Sequence, residues 1–216
     1  MLSFCVILIL SYLAGSIPTA IIAGRIVMKD DIRNHGSKNA GATNVFRVMG
    51  WRPALIVMLI DVGKGILATL LISKLRIDPV TMNPLLVKLA AGSASIVGHV
   101  WTVFAGFKGG KGVGTAFGVF LGIAPLPVLI TLVVWLSVIF MTRIVSVSSL
   151  AAAVCLPVAL WIQKRFFKPG IPDFLLWITV LLAVLIWFTH RSNIRRLLRG
   201  EEHRFGSGKK EKPAEA

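Results

Sequence analysis

The chain alternates between long apolar runs and short polar segments. Seven runs predict membrane-spanning helices, since a span needs roughly 20 mainly apolar residues and shorter helices are tolerated inside a bundle. They are 3–24, 53–73, 84–105, 113–124, 126–142, 145–163 and 172–190. The apolar stretch 112–142 is divided in two because one helix of that length would measure about 46 Å. Pro125 and Pro127 also interrupt it near its middle. The pattern predicts an all-α integral membrane bundle of about seven transmembrane helices, two of them short.

The composition of the 216-residue chain agrees with a bilayer as its solvent. Apolar residues make up 56% and charged residues only 15%, against about 25% charged residues in soluble domains. Cys5 and Cys155 lie in apolar runs and form no CxxC pair. A disulfide framework and a cysteine metal site are therefore not expected, and neither is a cofactor.

The net charge of +15 is interpreted as a sign of topology rather than of nucleic-acid binding. With seven spans and a cytoplasmic C-terminus, 16 basic residues lie on the cytoplasmic face and 5 on the opposite face. The first run has no basic segment before it, so it is expected to be an uncleaved helix rather than a signal peptide. We expect a membrane domain over 1–205, contact with membrane lipid, and a disordered cytoplasmic tail over 206–216.

Two polar segments on the predicted cytoplasmic face are richer than simple connections require. Residues 29–50 combine small residues, amides, hydroxyls and Arg47, and are expected to expose groups that bind phosphate or carboxylate oxygens. Residues 106–112, GFKGGKG, suggest an anion nest that opens a helix at about Val113. This loop is not a Walker A motif, because Ala105 and Gly112 stand where that motif has Gly and Ser/Thr. The alternative is that both segments are ordinary surface turns.

Two further segments carry candidate chemistry. The serines of VSVSSL at 145–150 either cap a helix that starts near Ser148 or contact a substrate. His190 and Asn193 follow the last span and lie three residues apart, on one helical face. Asp61 and Lys64 have the same spacing inside a span, and we interpret them as a structural ion pair, with proton transfer by Asp61 as the alternative.

The converging anion-binding segments, together with helices in lipid, imply an amphipathic substrate with a phosphate and a hydrocarbon chain. The chain has no GxSxG motif and no clustered metal ligands, which favours direct transfer aided by positioning and electrostatics. Two other hypotheses stay open: a small transporter of a phosphorylated metabolite, and a membrane scaffold with lipid-binding loops. A visible internal repeat would favour the transporter, and none is seen.

Several motifs together resemble those of the bacterial acyl-phosphate:glycerol-3-phosphate acyltransferase family, PlsY. They are GSIPTA at 15–20, HGSKNAGATNVFRVMG at 35–50, DVGKG at 61–65, GHVWTVFAGFKGGKGVGTAFG at 98–118, VSVSSL at 145–150 and HRSNIRRLLRGEE at 190–202. The resemblance implies a multi-pass inner-membrane enzyme. It implies transfer of an acyl group from acyl-phosphate, supplied by a separate soluble enzyme, to the 1-hydroxyl of glycerol 3-phosphate. The products are 1-acyl-glycerol 3-phosphate and phosphate.

The resemblance also implies roles for individual residues. The substrate-binding residues would be Ser37, Asn39, Thr43, Asn44, Arg47, Lys108, Gly109, Gly110, Lys111, Ser148, Ser149, His190 and Asn193. The catalytic residues would be His190, Asn193, Lys111 and Arg47. Arg47 is expected to contact one phosphate. Lys108 and Lys111, together with the glycine amides, are expected to contact the other phosphate. His190 acting as general base is a hypothesis, the alternative acceptor being a phosphate oxygen of the substrate.

Overall fold

The computed structural model describes residues 1–205; the predicted tail 206–216 lies outside the described residues. Within them the chain forms helices and no strand, which confirms the all-α prediction. The ten α-helices are α1 Leu2–Ser16, α2 Thr19–Val27, α3 Ala42–Met49, α4 Trp51–Leu70, α5 Pro84–Val100, α6 Val113–Leu121, α7 Pro125–Thr142, α8 Val145–Ile162, α9 Asp173–Thr189 and α10 Arg191–Leu198.

Five helical stretches of the described chain are long and apolar enough to cross a membrane: Leu2–Val27, Trp51–Lys74, Pro84–Ala105, Pro125–Thr142 and Val145–Phe167. The helices α9 and α10 meet the same criterion only when they are taken together, and they bend by 59° where they join, so the number of spans is six if this pair counts as one. The remaining predicted segment is α6, which has nine residues and a length of about 14 Å, too short to cross alone. The following helix α7 has 18 residues and nearly coincides with the predicted run 126–142.

Three boundaries differ from those predicted, each for a local reason. The first run breaks into α1 and α2 at Pro18, whose ring cannot continue the helix. The run before Pro125 ends at Leu121 rather than residue 124. Part of the segment predicted as a loop, Ala42–Met49, is the amphipathic helix α3.

The described chain divides into two compact units. The first comprises Met1–Leu129 and Ile171–Leu175, and the second Ile130–Gly170 with the chain from Leu176 onward. In the first unit, α4 packs against α6 and α1 against α5 at very short range. A Cβ at Gly118 would lie 2.0 Å from the carbonyl oxygen of Val62, and one at Gly98 would lie 2.2 Å from that of Tyr12. Small residues thus let membrane helices approach backbone to backbone.

Candidate active site

The segment before α3 is organised around one buried amide, that of Asn44. Its Oδ1 accepts a hydrogen bond from the Ser37 N–H at 2.8 Å, and its Nδ2 donates to the carbonyl oxygens of Ile32 at 3.1 Å and His35 at 3.0 Å. The residue is 1% exposed, so the expectation that it exposes its side chain is wrong. Both Nδ2 donors and the Oδ1 acceptor of Asn44 bind backbone groups of the preceding turn, so the side chain supports that turn.

The turn that Asn44 supports depends on a glycine. Gly36 has φ of +54°, and a Cβ there would lie 2.5 Å from Asn44 Oδ1. Ser37 and Asn39 follow this turn and are half-buried. Thr43 and Arg47 lie one helical turn apart on the exposed face of α3. This segment therefore presents polar side chains from a rigid base.

The glycine-lysine loop is held by the end of α5. The N–H of Gly109 donates to the carbonyl oxygen of Val100, and that of Gly110 to the carbonyl oxygen of His99, both at 3.0 Å. The prediction that these two amides form an anion nest is therefore wrong, since they already bind protein carbonyls. The prediction of a helix opening at Val113 is confirmed. Lys108 is exposed and Lys111 half-buried.

The two segments meet in the first unit. Arg33, which precedes the Asn44-supported turn, donates from Nη1 to the carbonyl oxygens of Ala105 at 2.9 Å and Lys108 at 3.3 Å. A Cβ at Gly110 would lie 2.9 Å from the carbonyl oxygen of Ala40. The structure thus brings the Ser37 turn and the lysine loop side by side, although they are about 70 residues apart in sequence.

A buried polar cluster lies beneath the lysine loop. Asp61 Oδ1 accepts hydrogen bonds from Thr19 Oγ1 at 2.6 Å and from Lys64 Nζ at 2.7 Å, and lies 3.6 Å from His99 Nδ1. Lys64 Nζ also donates to the carbonyl oxygen of Ile17 at 2.5 Å. None of these four side chains is more than 8% exposed. The predicted ion pair exists, and its partners explain how two charges stay inside a span.

His99 links this cluster to the loop above it. A Cβ at Gly110 would lie 2.2 Å from His99 Nε2, so only glycine fits there. Between the loop and the cluster is a cavity of about 10 Å³ that includes Ala40 and Thr102 in its lining. Such a volume holds at most about one water molecule. This cavity is therefore too small to hold a phosphate group, and Lys108 lies exposed on the loop outside it.

The second unit contains His190 and Asn193, both buried. His190 is the residue before α10, and its Nδ1 lies 2.8 Å from the carbonyl oxygen of Ile186. Because a carbonyl only accepts, Nδ1 donates, and a neutral ring then keeps its acceptor lone pair on Nε2. Asn193 donates from Nδ2 to Glu202 Oε1 at 2.7 Å.

Glu202 joins α8 and α10 of the second unit. Besides Asn193, it accepts from Ser146 Oγ at 3.1 Å and from Arg196 Nε at 2.7 Å, and its side chain is 5% exposed. Burial raises the pKa of this carboxyl, but the hydrogen bonds from Arg196, Asn193 and Ser146 outweigh it, so the pKa lies below its ordinary value. Glu202 is therefore ionised at neutral pH, and its carboxylate holds the Asn193 side chain in place.

The serine segment begins α8 rather than preceding it. The helix starts at Val145 and no side chain caps it, so the alternative in which serines cap a helix near Ser148 is wrong. Ser148 and Ser149 are both buried. Ser148 Oγ donates to the carbonyl oxygen of Ile144 at 3.2 Å, and Ser149 Oγ accepts from Trp135 Nε1 at 3.4 Å. The serine hydroxyls thus have protein partners within the second unit.

An apolar groove of about 730 Å³ lies between α8 and α9. Its walls consist of aliphatic and tryptophan side chains: Val154, Pro157, Val158, Trp161, Leu176, Trp177, Val180, Ala183, Val184 and Trp187. Trp187 precedes His190 by about one helical turn. A hydrocarbon chain suits such a surface.

Sequence reasoning missed four participants of these arrangements: Thr19, Arg33, His99 and Glu202. Thr19 and His99 reach Asp61 only through the fold, over separations of about 40 residues. Arg33 lies just before one quoted motif and Glu202 ends another, but in the sequence both resemble ordinary surface charges. The sequence signal that could have pointed to His99 is the pair Gly109 and Gly110. Two adjacent glycines allow a loop backbone to approach a neighbouring side chain closely, and here that neighbour is His99.

Comparisons with known proteins identify the family of this chain. Residues 5–200 match the family described as glycerol-3-phosphate acyltransferase. A glycerol-3-phosphate acyltransferase of Pelodictyon phaeoclathratiforme is 42% identical over 97% of this chain and 100% of its own. One of Chlorobium phaeobacteroides is 45% identical over 94% and 97%.

Solved structures extend the agreement to the fold. PlsY, described as an integral membrane glycerol 3-phosphate acyltransferase, in its glycerol 3-phosphate form has a TM-score of 0.80 and 37% identity, covering 94% of this chain and 96% of that one. Its lysophosphatidic acid form has a TM-score of 0.79 and 36% identity over the same shares. Sequence, motifs and fold together place the chain in the glycerol-3-phosphate acyltransferase family, as an integral membrane protein of the PlsY type.

Proposed function

We propose that the protein transfers a fatty acyl group from acyl-phosphate to the 1-hydroxyl of glycerol 3-phosphate, which gives 1-acyl-glycerol 3-phosphate and phosphate. The observation that carries the proposal is the junction of the Ser37 turn with the lysine loop, which presents Lys108 above a buried ionic support. Relatives captured in glycerol 3-phosphate and lysophosphatidic acid forms support the acceptor and the product.

The transfer is direct. The 1-hydroxyl oxygen bonds to the carbonyl carbon of the acyl-phosphate, and the bond from that carbon to the phosphate oxygen breaks. The electron pair leaves with the phosphate, which receives the hydroxyl proton either directly or through His190. Acyl-phosphate is a mixed anhydride with a good leaving group, so positioning and charge stabilisation supply the remaining catalysis.

The residues divide this work by their chemistry. Arg47 on the exposed face of α3 binds one phosphate through its planar guanidinium, while Lys108 and Lys111 bind the other. Ser37, Asn39 and Thr43 surround the first phosphate. His190 and Asn193 orient glycerol 3-phosphate, Ser148 and Ser149 contribute to substrate binding, and the apolar groove accommodates hydrocarbon.

The donor is acyl-phosphate, made by a separate soluble enzyme, rather than acyl-CoA. Acyl-CoA-linked acyltransferases use an H-x-x-x-x-D motif, and Ala40, Phe104, Arg195 and Gly208 occupy the Asp position after the four histidines. The enzyme resides in the bacterial inner membrane with its C-terminus and substrate loops in the cytoplasm. The basic residues concentrated on that face support this orientation.

The test is phosphate release by purified protein given glycerol 3-phosphate with either palmitoyl-phosphate or palmitoyl-CoA. We expect phosphate and 1-acyl-glycerol 3-phosphate in equal amounts with palmitoyl-phosphate and no product with palmitoyl-CoA. Equal product from both donors would overturn the donor assignment. Trapping a protein-bound acyl group by acid quenching would overturn direct transfer, and no product from folded protein would overturn the reaction itself.

A further inference from the structure

Arg33 connects the two polar segments through hydrogen bonds that no substrate role requires. It belongs to the short 3₁₀ turn Ile32–Asn34, upstream of the turn that carries Ser37. Its Nη1 donates to the carbonyl oxygens of Ala105 and Lys108, 72 and 75 residues away. One planar group thus holds both ends of the tetrapeptide that ends in Lys108.

Asp31 fixes the orientation of that guanidinium. Arg33 Nη2 donates to Asp31 Oδ2 at 2.7 Å, and Nε lies 3.0 and 3.1 Å from the two carboxylate oxygens. Asp31 also accepts from the N–H of Arg33 at 2.9 Å, so the carboxylate closes the 3₁₀ turn as well. A fork of this kind needs the planar geometry of arginine, which lysine lacks.

The tetrapeptide needs this restraint because its backbone is unusual. Gly106 and Phe107 both have positive φ, of 65° and 59°. A non-glycine residue in this region persists when its surroundings hold it there. On its far side the loop is held by the amides of Gly109 and Gly110, which bind the carbonyls that end α5. Lys108 is therefore an exposed side chain on anchored backbone, since Arg33 binds its carbonyl oxygen and the next two amides bind the end of α5.

We infer that Asp31 and Arg33 form a positioning pair that holds the Lys108 backbone, and so aims its ammonium group at the substrate phosphate. Neither residue touches substrate in this assignment; both act through Lys108. The inference rests on the proposed function, because it takes the role of Lys108 from there. Small displacements of a positioned group cost large factors in rate, so the effect is on kcat/KM.

The test is a double-mutant cycle on acyl transfer with Arg33→Gln and Lys108→Ala. Arg33→Gln alone is expected to lower kcat/KM by about 10–100-fold. In the Lys108→Ala background it is expected to change the remaining rate by no more than about two-fold, because the two residues act as one unit. A merely structural Arg33 would instead give multiplied losses, and that result would overturn the inference.

Conservative variants sharpen the cycle. Arg33→Lys keeps the charge but cannot hold Asp31 and two carbonyls at once, so it is expected to lose nearly as much as Arg33→Gln. Full rescue by lysine would show that charge alone matters, which contradicts a positioning role. Lys29→Gln removes the same charge from a neighbouring exposed residue and is expected to stay within about two-fold of the wild type.

A readout independent of activity is the trypsin cleavage of the folded protein after Lys108. Releasing the Lys108 carbonyl frees the loop to enter a protease, so Arg33→Gln is expected to speed this cleavage about 10-fold. Should the residual activity of Lys108→Ala lie below detection, the double-mutant cycle gives no result and the cleavage rate decides instead. A cleavage rate in Arg33→Gln equal to that of the wild type would then overturn the inference. Loss of acyl transfer in the wild type would contradict the proposed function instead. A wild-type rate in Lys108→Ala would overturn only the role given to this loop.

Discussion

The two units support their motif residues in opposite ways. In the first unit, Thr43, Arg47 and Lys108 are exposed, and the neighbouring Asn44, which is buried, holds the Ser37 turn. In the second unit, the motif residues His190 and Asn193 are themselves buried and bound to protein groups. A sequence motif therefore contains residues of two kinds. Burial distinguishes the residues that can face a ligand from those that hold the backbone in place.

The largest effect is expected for Asp61→Asn, which leaves Lys64 charged and buried without its counter-ion. The free energy of unfolding should fall by about 3–5 kcal/mol, the usual cost of breaking one side of a buried pair. Thermal unfolding in detergent measures it. The double variant Asp61→Asn with Lys64→Met removes both charges and should recover most of the loss. A double variant as unstable as the single one would mean that the pair is not the source of the effect.

Gly110→Ala tests the contact between the buried cluster and the lysine loop. The new Cβ would lie 2.2 Å from His99 Nε2, so the loop must shift, and kcat/KM should fall by about 100-fold or more, equivalent to about 2.7 kcal/mol. Steady-state kinetics of acyl transfer provides the measurement. Gly63→Ala is the matched control, because its Cβ meets nothing within 4 Å, and it should keep the wild-type rate. Equal activity in both variants would contradict the close packing described here.

Asn44→Ala separates support from binding in the first unit. It removes three hydrogen bonds to the turn before α3 and leaves buried backbone groups unpaired, so stability should fall by about 2–3 kcal/mol. The comparison is Thr43→Ala, which is exposed on the same helix and should change the thermal midpoint little. If Thr43→Ala destabilised the protein as much as Asn44→Ala, the assignment of Asn44 as the supporting residue would be wrong.

The smallest effect is expected for Glu202→Gln, which weakens charge-assisted bonds in the second unit by about 1–2 kcal/mol at neutral pH. Because the pKa of Glu202 is lowered in the fold, its contribution is complete above the ordinary carboxyl pKa of 4.5. It is lost as the pH falls below that value through the folded pKa. Thermal midpoints of the wild type and the variant should therefore converge in acid; a gap that widened in acid would contradict the lowered pKa.

The apolar pattern was sufficient to predict the apolar spans and the break before Pro125, because lipid imposes length and apolarity on each span. It did not predict the amphipathic helix α3, which lies in a polar segment. The spacing of Asp61 and Lys64 was sufficient to predict their pairing. The partners Thr19 and His99 could not be predicted, since contacts over about 40 residues depend on how helices pack. The role of Asn44 could not be separated from that of Thr43, because both are short polar residues and only burial distinguishes them.

The most direct test of the central claim is kcat/KM for acyl transfer in Arg47→Gln, Lys108→Gln and the control Lys38→Gln, each with its thermal midpoint. The account predicts that Arg47→Gln and Lys108→Gln lose about 10²–10³-fold in kcat/KM, as expected for donors that stabilise phosphate charge, while their midpoints stay at the wild-type value. Lys38 is exposed on the same segment as Ser37, and Lys38→Gln should keep the kcat/KM and the thermal midpoint of the wild type. Wild-type kcat/KM in folded Arg47→Gln and Lys108→Gln would contradict the claim that these segments bind the substrate phosphates.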